Sequence, residues 1–421
     1  MSDEKNKNYI PELLIPAGSL EVLKTAVYYG ADAIYIGGDV FSLRAKAKNF
    51  DDADMKEGIE YAHSFGKKVY VTANILAHNE DLKEAEAYFT KMKDLRPDGL
   101  IMADPGMIMI AKEICPDVPI HLSTQANNTN YATFKFWYDQ GIKRVVTARE
   151  LSLKEISEIR KNIPDDMEIE SFVHGAMCIS YSGRCLLSNY FTGRDANHGE
   201  CTHPCRWKYS VMEEKRPGEY LPVYENERGT FIFNSKDLNM VGHIPELAEA
   251  GINSLKVEGR MKTALYVASI TRAYRMALDA YALGMDEYEK ILPRCEEEIK
   301  KCTYRQFTTG FYFGKPSEES QIYDNNTYDS DAVYLGRVEA VTKTDEGSRI
   351  EITQKNKFAK GEVIDIMKPD GMDLKAAVLY IHDEEGNEME SAPHSKQKLF
   401  VSIDKKADVN DILRTESRRM Q

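Results

Sequence analysis

The chain has 421 residues, a formal net charge of −13 and 42% hydrophobic residues. That length exceeds one small domain and fits a large domain with a smaller companion. The acid excess excludes a uniformly basic nucleic-acid binder, so any RNA contact needs a local basic patch.

The N-terminus, MSDEKNKNYIPELL, is polar, and no run approaches the ~20 apolar residues that span a bilayer. The expectation is a soluble, cytoplasmic protein with no membrane partner. Through residue 175 one pattern repeats: an apolar run, a polar turn, then an amphipathic stretch. The runs are ELLIPAG (12–18), ADAIYIGG (31–38), KVYVTANI (68–75), DGLIMADP (98–105), PIHLSTQ (119–125), RVVTARE (144–150) and EIESFVHG (168–175). Between them Met55, Ile59, Ala62 and Phe65, for example, recur at helical spacing. This alternation predicts a parallel sheet. An eighth run, INSLKVEG (252–259), leads into a helix whose Val267, Ile270, Tyr274, Leu278 and Tyr281 mark one face. Eight such units predict a TIM-like (β/α) barrel.

The interval from Gly175 to Gly251 is far longer than a usual βα loop. It holds four of the seven cysteines and a hairpin expected from WKYSVME and YLPVYEN. An insertion after strand seven falls at the C-terminal mouth, where barrels keep their chemistry. Beyond it, TTGFYFGKPSEESQIYDNNTYDSD (308–331) reads as a linker. AVYLGRVEAVT, SRIEITQ, GEVIDIMK, KAAVLYIH and KLFVSI then alternate as short strands, predicting a small antiparallel β-barrel. The expected organisation is a catalytic barrel over 1–307, a linker over 308–330 and a β domain over 331–421.

Cys178, Cys185, Cys201 and Cys205 are separated by six, fifteen and three residues. A disulfide framework suits neither a cytoplasmic chain nor an odd cysteine count. Four thiolates suit an iron–sulfur cluster or a tetrahedral zinc, and spacing alone leaves both open, with redox pairing as a third reading. Cys115, Cys295 and Cys302 lie on helical stretches and read as buried free thiols. The chain has no HExxH or GxSxG motif, and Cys201 with His203 imitates a thiol–imidazole pair only locally.

Asn74, Gln125, Arg149, Glu150, His174, Lys256, Glu258 and Arg260 fall at or just past predicted strand ends, the positions a barrel offers to substrate. Among them His174, Glu258 and Gln125 are the catalytic candidates, His174 as a proton donor or a partner of the cysteine site. Lys256 and Arg260 are candidates for clamping a carboxylate or phosphate, or for a structural ion pair with Glu258. Arg149 and Asn74 complete the substrate-binding set. Arg184 and Arg206 flank cysteines and can offset thiolate charge, and Trp207 either stacks on a base or packs in a core.

The stretch ESFVHGAMCISYSGRCLLS resembles the signature of peptidase family U-32, E-x-F-x-x-G-[SA]-[LIVM]-C, four residues, then G-x-C-x-[LIVM]-S. Glu170, Phe172, Gly175, Ala176, Met177, Cys178, Gly183, Cys185, Leu187 and Ser188 carry the match. ELLIPAGSLEVLKTAVYYGADAIYIGG, FNSKDLNMVGHIPELAEAGINSLKVEGRMK and FTTGFYFGKP extend the likeness over essentially the whole chain. GECTHPCRWKY is most similar to the tRNA-hydroxylation branch (the TrhP type), whose members convert wobble uridine to 5-hydroxyuridine. The resemblance implies a tRNA uridine hydroxylase with a 4Fe-4S cluster on Cys178, Cys185, Cys201 and Cys205. Cys205 is the natural fourth ligand because the block NSKDLNM lacks the cysteine that some members place there. It further implies prephenate as co-substrate, independence from oxygen, and tRNA and a redox partner as partners. The family's historical label is collagenase-like protease, so a peptidase is one alternative and a zinc-stapled RNA-binding module another.

Overall fold

A computed structural model of the chain describes residues 9–42, 49–178, 181, 185–192, 194, 201–202, 204, 210–211, 221–222, 236–314 and 329–417. Contacts group the chain into two units. The first comprises Met1–Leu20, Ala33–Met261 and Arg305–Thr327, the second Glu21–Asp32, Lys262–Tyr304 and Tyr328–Gln421.

In the first unit β1 (Glu12–Pro16), β2 (Ala33–Gly37), β3 (Lys68–Ala73), β4 (Gly99–Met102), β5 (Ile120–Leu122), β6 (Arg144–Val146) and β7 (Glu168–Ala176) pair in chain order, all parallel. They alternate with α1 (Leu20–Tyr28, grouped largely with the second unit), α2 (Asp52–Ser64), α3 (Leu82–Leu95), α4 (Pro105–Ile114), α5 (Tyr131–Asp139) and α6 (Leu153–Asn162). After β7 come α7 (Leu187–Thr192), the expected hairpin as β8 (Ser210–Val211) against β9 (Leu221–Pro222), β10 (Asp237–Asn239) and α8 (Ile244–Glu249). The eighth barrel strand, β11 (Ser254–Val257), pairs parallel with both β1 and β7 and closes the barrel. Strands such as β2 and β4 are buried at every position, as expected when helices cover one face and lumen side chains the other.

Several helices begin on a side-chain cap that the βα turns supply: Asp51 for α2, Asp104 for α4, Asn130 for α5 and Ser152, with Glu155, for α6. On α2 the apolar stripe is shorter than its spacing predicts. Met55, Ile59 and Ala62 are buried, whereas Phe65 is the C-cap residue and is exposed.

The sheet also continues past the barrel. Antiparallel to β7 runs β10, and parallel to β10 runs β12 (Phe307–Thr308). The turn that follows lies in the expected linker, yet it is bonded to the barrel. The Tyr312 hydroxyl donates to the Phe172 carbonyl at 2.5 Å, and the Leu153 amide donates to the Tyr312 carbonyl at 3.0 Å.

The second unit contains α9 (Ala264–Leu283), α10 (Met285–Lys300) and a run of strands: β13 (Ala332–Thr344), β14 (Gly347–Thr353), β15 (Phe358–Ala359), β16 (Val363–Met367), β17 (Leu374–His382), β18 (Glu388–Met389), β19 (Ser391–Ala392), β20 (Lys398–Ile403) and β21 (Ile412–Glu416). The antiparallel order β16-β21-β13-β14-β20-β17 closes on itself through a β16–β17 pairing. Leu335, Val338, Ile350, Ile352, Val401 and Leu413 are among its core residues. The sequence reading did not anticipate β21, whose ILRTE carries two charges in five residues.

On α9 the predicted face is buried, and so are Thr271, Arg272 and Ala273 beside it. Arg272 donates to Glu298 of α10 and to Asp373, and Arg414 of β21 donates to the same two carboxylates. This quartet, buried except for the half-buried Asp373, explains why contacts group α9 and α10 with the strands, a partition different from boundaries at 307 and 331.

Candidate functional site

The barrel lumen is charged. Glu170 on β7 and Lys256 on β11 are both buried, and the ammonium donates to Glu170 Oε1 at 2.7 Å. Glu170 Oε2 lies 3.6 Å from Arg144, which donates to Glu12 and Glu168 at 2.6 Å each. Tyr70 and Ser254 donate to Glu12 at 2.8 and 2.9 Å. Buried charges need such partners, because the desolvation of each ion is large. Burial, with Arg144 and Lys256 nearby, holds His121 well below the usual histidine range, so it is neutral here. The structural pair offered for Lys256 is therefore corrected: its partner is Glu170, and Glu258 belongs to Arg149.

Arg149 follows β6 and reaches the end of β7. Its Nη1 donates to the Ala176 carbonyl at 2.7 Å and its Nη2 to Glu258 Oε2 at 3.2 Å. Its guanidinium carbon sits 3.9 Å from the centre of the Phe172 ring, a cation–π contact. Burial opposes its charge, but the neighbouring Cys178 sulfur and Glu258 carboxylate outweigh burial and hold it above its ordinary value. Glu258 approaches β7 closely enough to donate its amide to the His174 carbonyl at 2.8 Å. Gly175 permits this. Its φ is +103°, and a Cβ there would lie 2.5 Å from the Glu258 carbonyl oxygen.

The other predicted residues form smaller groups. Asn74 donates from Nδ2 to Gln125 Oε1 at 3.1 Å, and Gln125 also accepts from the Ser123 hydroxyl. Arg260 donates to Thr72 Oγ1 at 2.8 Å, running so close to Gly37 that a Cβ there would meet its Nη1 at 2.1 Å. The buried His174 ring packs against Phe307 of β12, with centroids 5.9 Å apart. Burial pushes the Glu150 carboxyl up. A cavity of about 480 Å³, lined by Gly38, Phe50, Asp51, Met55, Tyr88 and Lys91 among others, includes none of the predicted site residues.

Cys178 comes two residues after the last residue of β7 and is exposed; Cys185 is half-buried and Cys201 exposed, and none of the three is in a disulfide. Two hydroxyls join the stretches that carry the second and third. The Thr202 amide donates to Ser188 Oγ at 3.1 Å, and the two side-chain hydroxyls are also 3.1 Å apart. Ser188 stands three residues after Cys185 and Thr202 one after Cys201. Cys205, His203, Arg184, Arg206 and Trp207 lie outside the described residues. Among the described residues, no three His, Cys, Asp or Glu side chains are grouped so as to hold a metal ion. The donor chemistry nevertheless suits thiolate ligation: Cys178, Cys185 and Cys201 are exposed or half-buried and none is spent in a disulfide. Cys115, Cys295 and Cys302 are buried, and burial pushes the Cys295 thiol up to about 12, which keeps it protonated.

The signature residues thus acquire physical roles that their spacing did not disclose. Glu170 neutralises Lys256, Phe172 supports Arg149, Gly175 admits Glu258 and Ser188 joins two cysteine stretches. Arg144, Glu12 and Tyr70 lie outside the signature and were not anticipated.

Fold and site together define a parallel α/β barrel with thiols past the end of its seventh strand, followed by an antiparallel β domain. Residues 18–322 match peptidase family U32 and residues 331–414 the peptidase family U32 C-terminal domain, so the chain belongs to this family. It is 40% identical over 404 residues to the tRNA hydroxylation protein P1 of Bacillus subtilis, covering 96% of this chain and 94% of that one. Identity to the tRNA hydroxylation protein P of Escherichia coli is 38% over 439 residues, 95% of each chain. A further relative, the 23S rRNA 5-hydroxycytidine C2501 synthase of Escherichia coli, is 37% identical over 269 residues, 64% of this chain and 39% of that one. No helix among the described residues is long and apolar enough to cross a membrane.

Proposed function

We propose that the protein is a cytoplasmic tRNA-modifying enzyme that hydroxylates wobble uridine to 5-hydroxyuridine. In this reading Cys178, Cys185, Cys201 and Cys205 hold a 4Fe-4S cluster, prephenate is the co-substrate, and oxygen is not required. The observation that carries the reading is the set of accessible cysteines outside any disulfide in the segment after β7, two of whose stretches are joined through Ser188 and Thr202. Relatives named for tRNA hydroxylation, alike over nearly the full length, support the substrate class.

Placing a hydroxyl on a pyrimidine carbon is a two-electron oxidation, which hydrolytic machinery cannot perform. A thiolate-ligated cluster supplies redox chemistry that structural zinc lacks. The chain's own residues hold the site: Arg149 and Glu258 fix the end of β7, and Asn74 with Gln125 presents amides just past the ends of β3 and β5.

The test is genetic and chemical. Deleting the gene, together with any paralogue, should remove 5-hydroxyuridine and its derivatives from tRNA by nucleoside mass spectrometry. The wild-type gene should restore them, and a folded Cys185→Ser protein should not. Unchanged tRNA nucleosides in the deletion strain refute the reading and favour a peptidase or another RNA. Restoration by Cys185→Ser refutes the role of the cluster.

A further inference from the structure

We propose that Arg149 is a positioning residue for the cysteine site, anchoring the strand end from which Cys178 departs and placing a fixed positive charge beside it. The inference rests on the iron–sulfur reading above.

Three observations carry it. First, the guanidinium is committed to the protein. Nη1 is on the Ala176 carbonyl at 2.7 Å, Nη2 is on Glu258 at 3.2 Å, and one face lies on Phe172. A buried arginine so engaged is poorly disposed to clamp substrate. Second, what it grips is the last residue of β7, two before Cys178. Only Met177 separates the gripped residue from the first thiol, so a shift of Arg149 is transmitted over a short span of chain. Third, its nearest carboxylate, Glu258, is held at the same strand end by a glycine with positive φ, so cation and anion are both placed there by backbone geometry.

The charge has a consequence that packing alone would not produce. A cluster ligated by four thiolates is anionic and gains a further negative charge on reduction. A nearby fixed cation stabilises the reduced form and raises the reduction potential, and a nearby carboxylate does the opposite. Arg149 and Glu258 should therefore act on the potential with opposite signs.

The experiment uses the full-length chain, purified without oxygen, as wild type and as Arg149→Met, Arg149→Lys and Glu258→Gln. Iron per chain, the visible and EPR spectra, the midpoint potential and the thermal transition are measured. Arg149→Met should shift the potential to more negative values and lose iron faster to a chelator. Arg149→Lys should recover part of the potential shift, because it keeps the charge but not the two-pronged grip. Glu258→Gln should shift the potential upward. If Arg149→Met fails to fold, the signs of the other two variants decide the matter. A wild-type potential in folded Arg149→Met, or shifts of the same sign in Arg149→Met and Glu258→Gln, overturns the inference while leaving the cluster in place. A wild-type protein that holds no iron overturns both the inference and the reading beneath it.

Discussion

Arg414→Met tests the second unit as one cooperative structure. Arg414 is 1% exposed and donates to both oxygens of Glu298, at 2.6 and 3.1 Å, and to Asp373 at 2.8 Å. Methionine keeps much of the buried stem and removes only the charge and its hydrogen bonds. Breaking a buried ion pair by deleting one partner costs about 3–5 kcal/mol. Glu298 retains Arg272 and, 3.7 Å away, Lys301, so the lower end applies, about 3 kcal/mol. For a unit of this size that corresponds to a fall in Tm of roughly 6–12 °C. Glu298→Gln should cost more, because it leaves two buried guanidiniums with only Asp373 between them.

The pH dependence follows from the same carboxylate. Burial alone would raise the Glu298 pKa, but Arg272 and Arg414 override it and hold the group at about 2. A depressed carboxylate contributes stability above its unfolded pKa of about 4.3 and loses it as pH falls toward 2. The wild type should therefore lose about 3 kcal/mol across that window, and Glu298→Gln should lack this component. The assays are thermal and urea unfolding followed by circular dichroism at pH 7 and at several values below 5. A Tm for Arg414→Met within about 2 °C of wild type would refute the argument that the quartet holds α9, α10 and β21 together.

The lumen pair gives a second test. Glu170→Gln leaves the Lys256 ammonium buried without its main counter-charge and should destabilise by about 3 kcal/mol or more, whereas Glu170→Gln with Lys256→Met should recover most of the loss; additive losses in urea titrations would contradict it. Ser188→Ala removes the acceptor of the Thr202 amide, and should cost about 1 kcal/mol and release iron to a chelator several-fold faster; an unchanged release rate counts against Ser188 as the link between Cys185 and Cys201. Gly175→Ala forces both a strained φ and a Cβ against the Glu258 carbonyl, so a loss above about 2 kcal/mol is expected, read as a fall in Tm. A chain ending at Ser330 lacks Arg414 and Asp373, so α9 and α10 should not fold normally in it; native-like α9 and α10 amide protection in that fragment would show that they need no strand partners.

Eight barrel strands were legible because each is an apolar run closed by a polar turn, and burial on both faces leaves no room for another pattern. The hairpin Ser210–Val211 with Leu221–Pro222 was legible for a similar reason, two short runs across a turn-rich gap. Side-chain partnership was not. Lys256 and Glu258 are two residues apart in sequence, yet the register with β7 shifts after Lys256 and β11 ends at Val257, and the two side chains meet different partners. Lys256 meets a residue 86 positions earlier and Glu258 one 109 positions earlier. Only barrel closure, β11 against β7, brings those partners within reach. The same holds for β21, whose buried Arg414 looks like surface charge until Glu298 and Asp373 converge on it.

This difference bears on what the family signature records. Its cysteines stand out as candidate ligands by their chemistry and by the family resemblance, but its Glu170, Phe172, Gly175 and Ser188 have no reactive role that chemistry alone suggests. In the structure Glu170 fixes Lys256, and the Lys256 ammonium lies 5.4 Å from the centre of the Phe172 ring. Phe172 in turn carries Arg149, Arg149 holds the last carbonyl of β7, and Gly175 lets Glu258 close on that same strand end. A sequence pattern spanning nineteen residues thus describes one mechanical chain from the barrel lumen to the first thiol. Its first part, Glu170 to Ala176, lies on β7, an extended strand in which residues 170 and 172 share a face and each positions the next group outward.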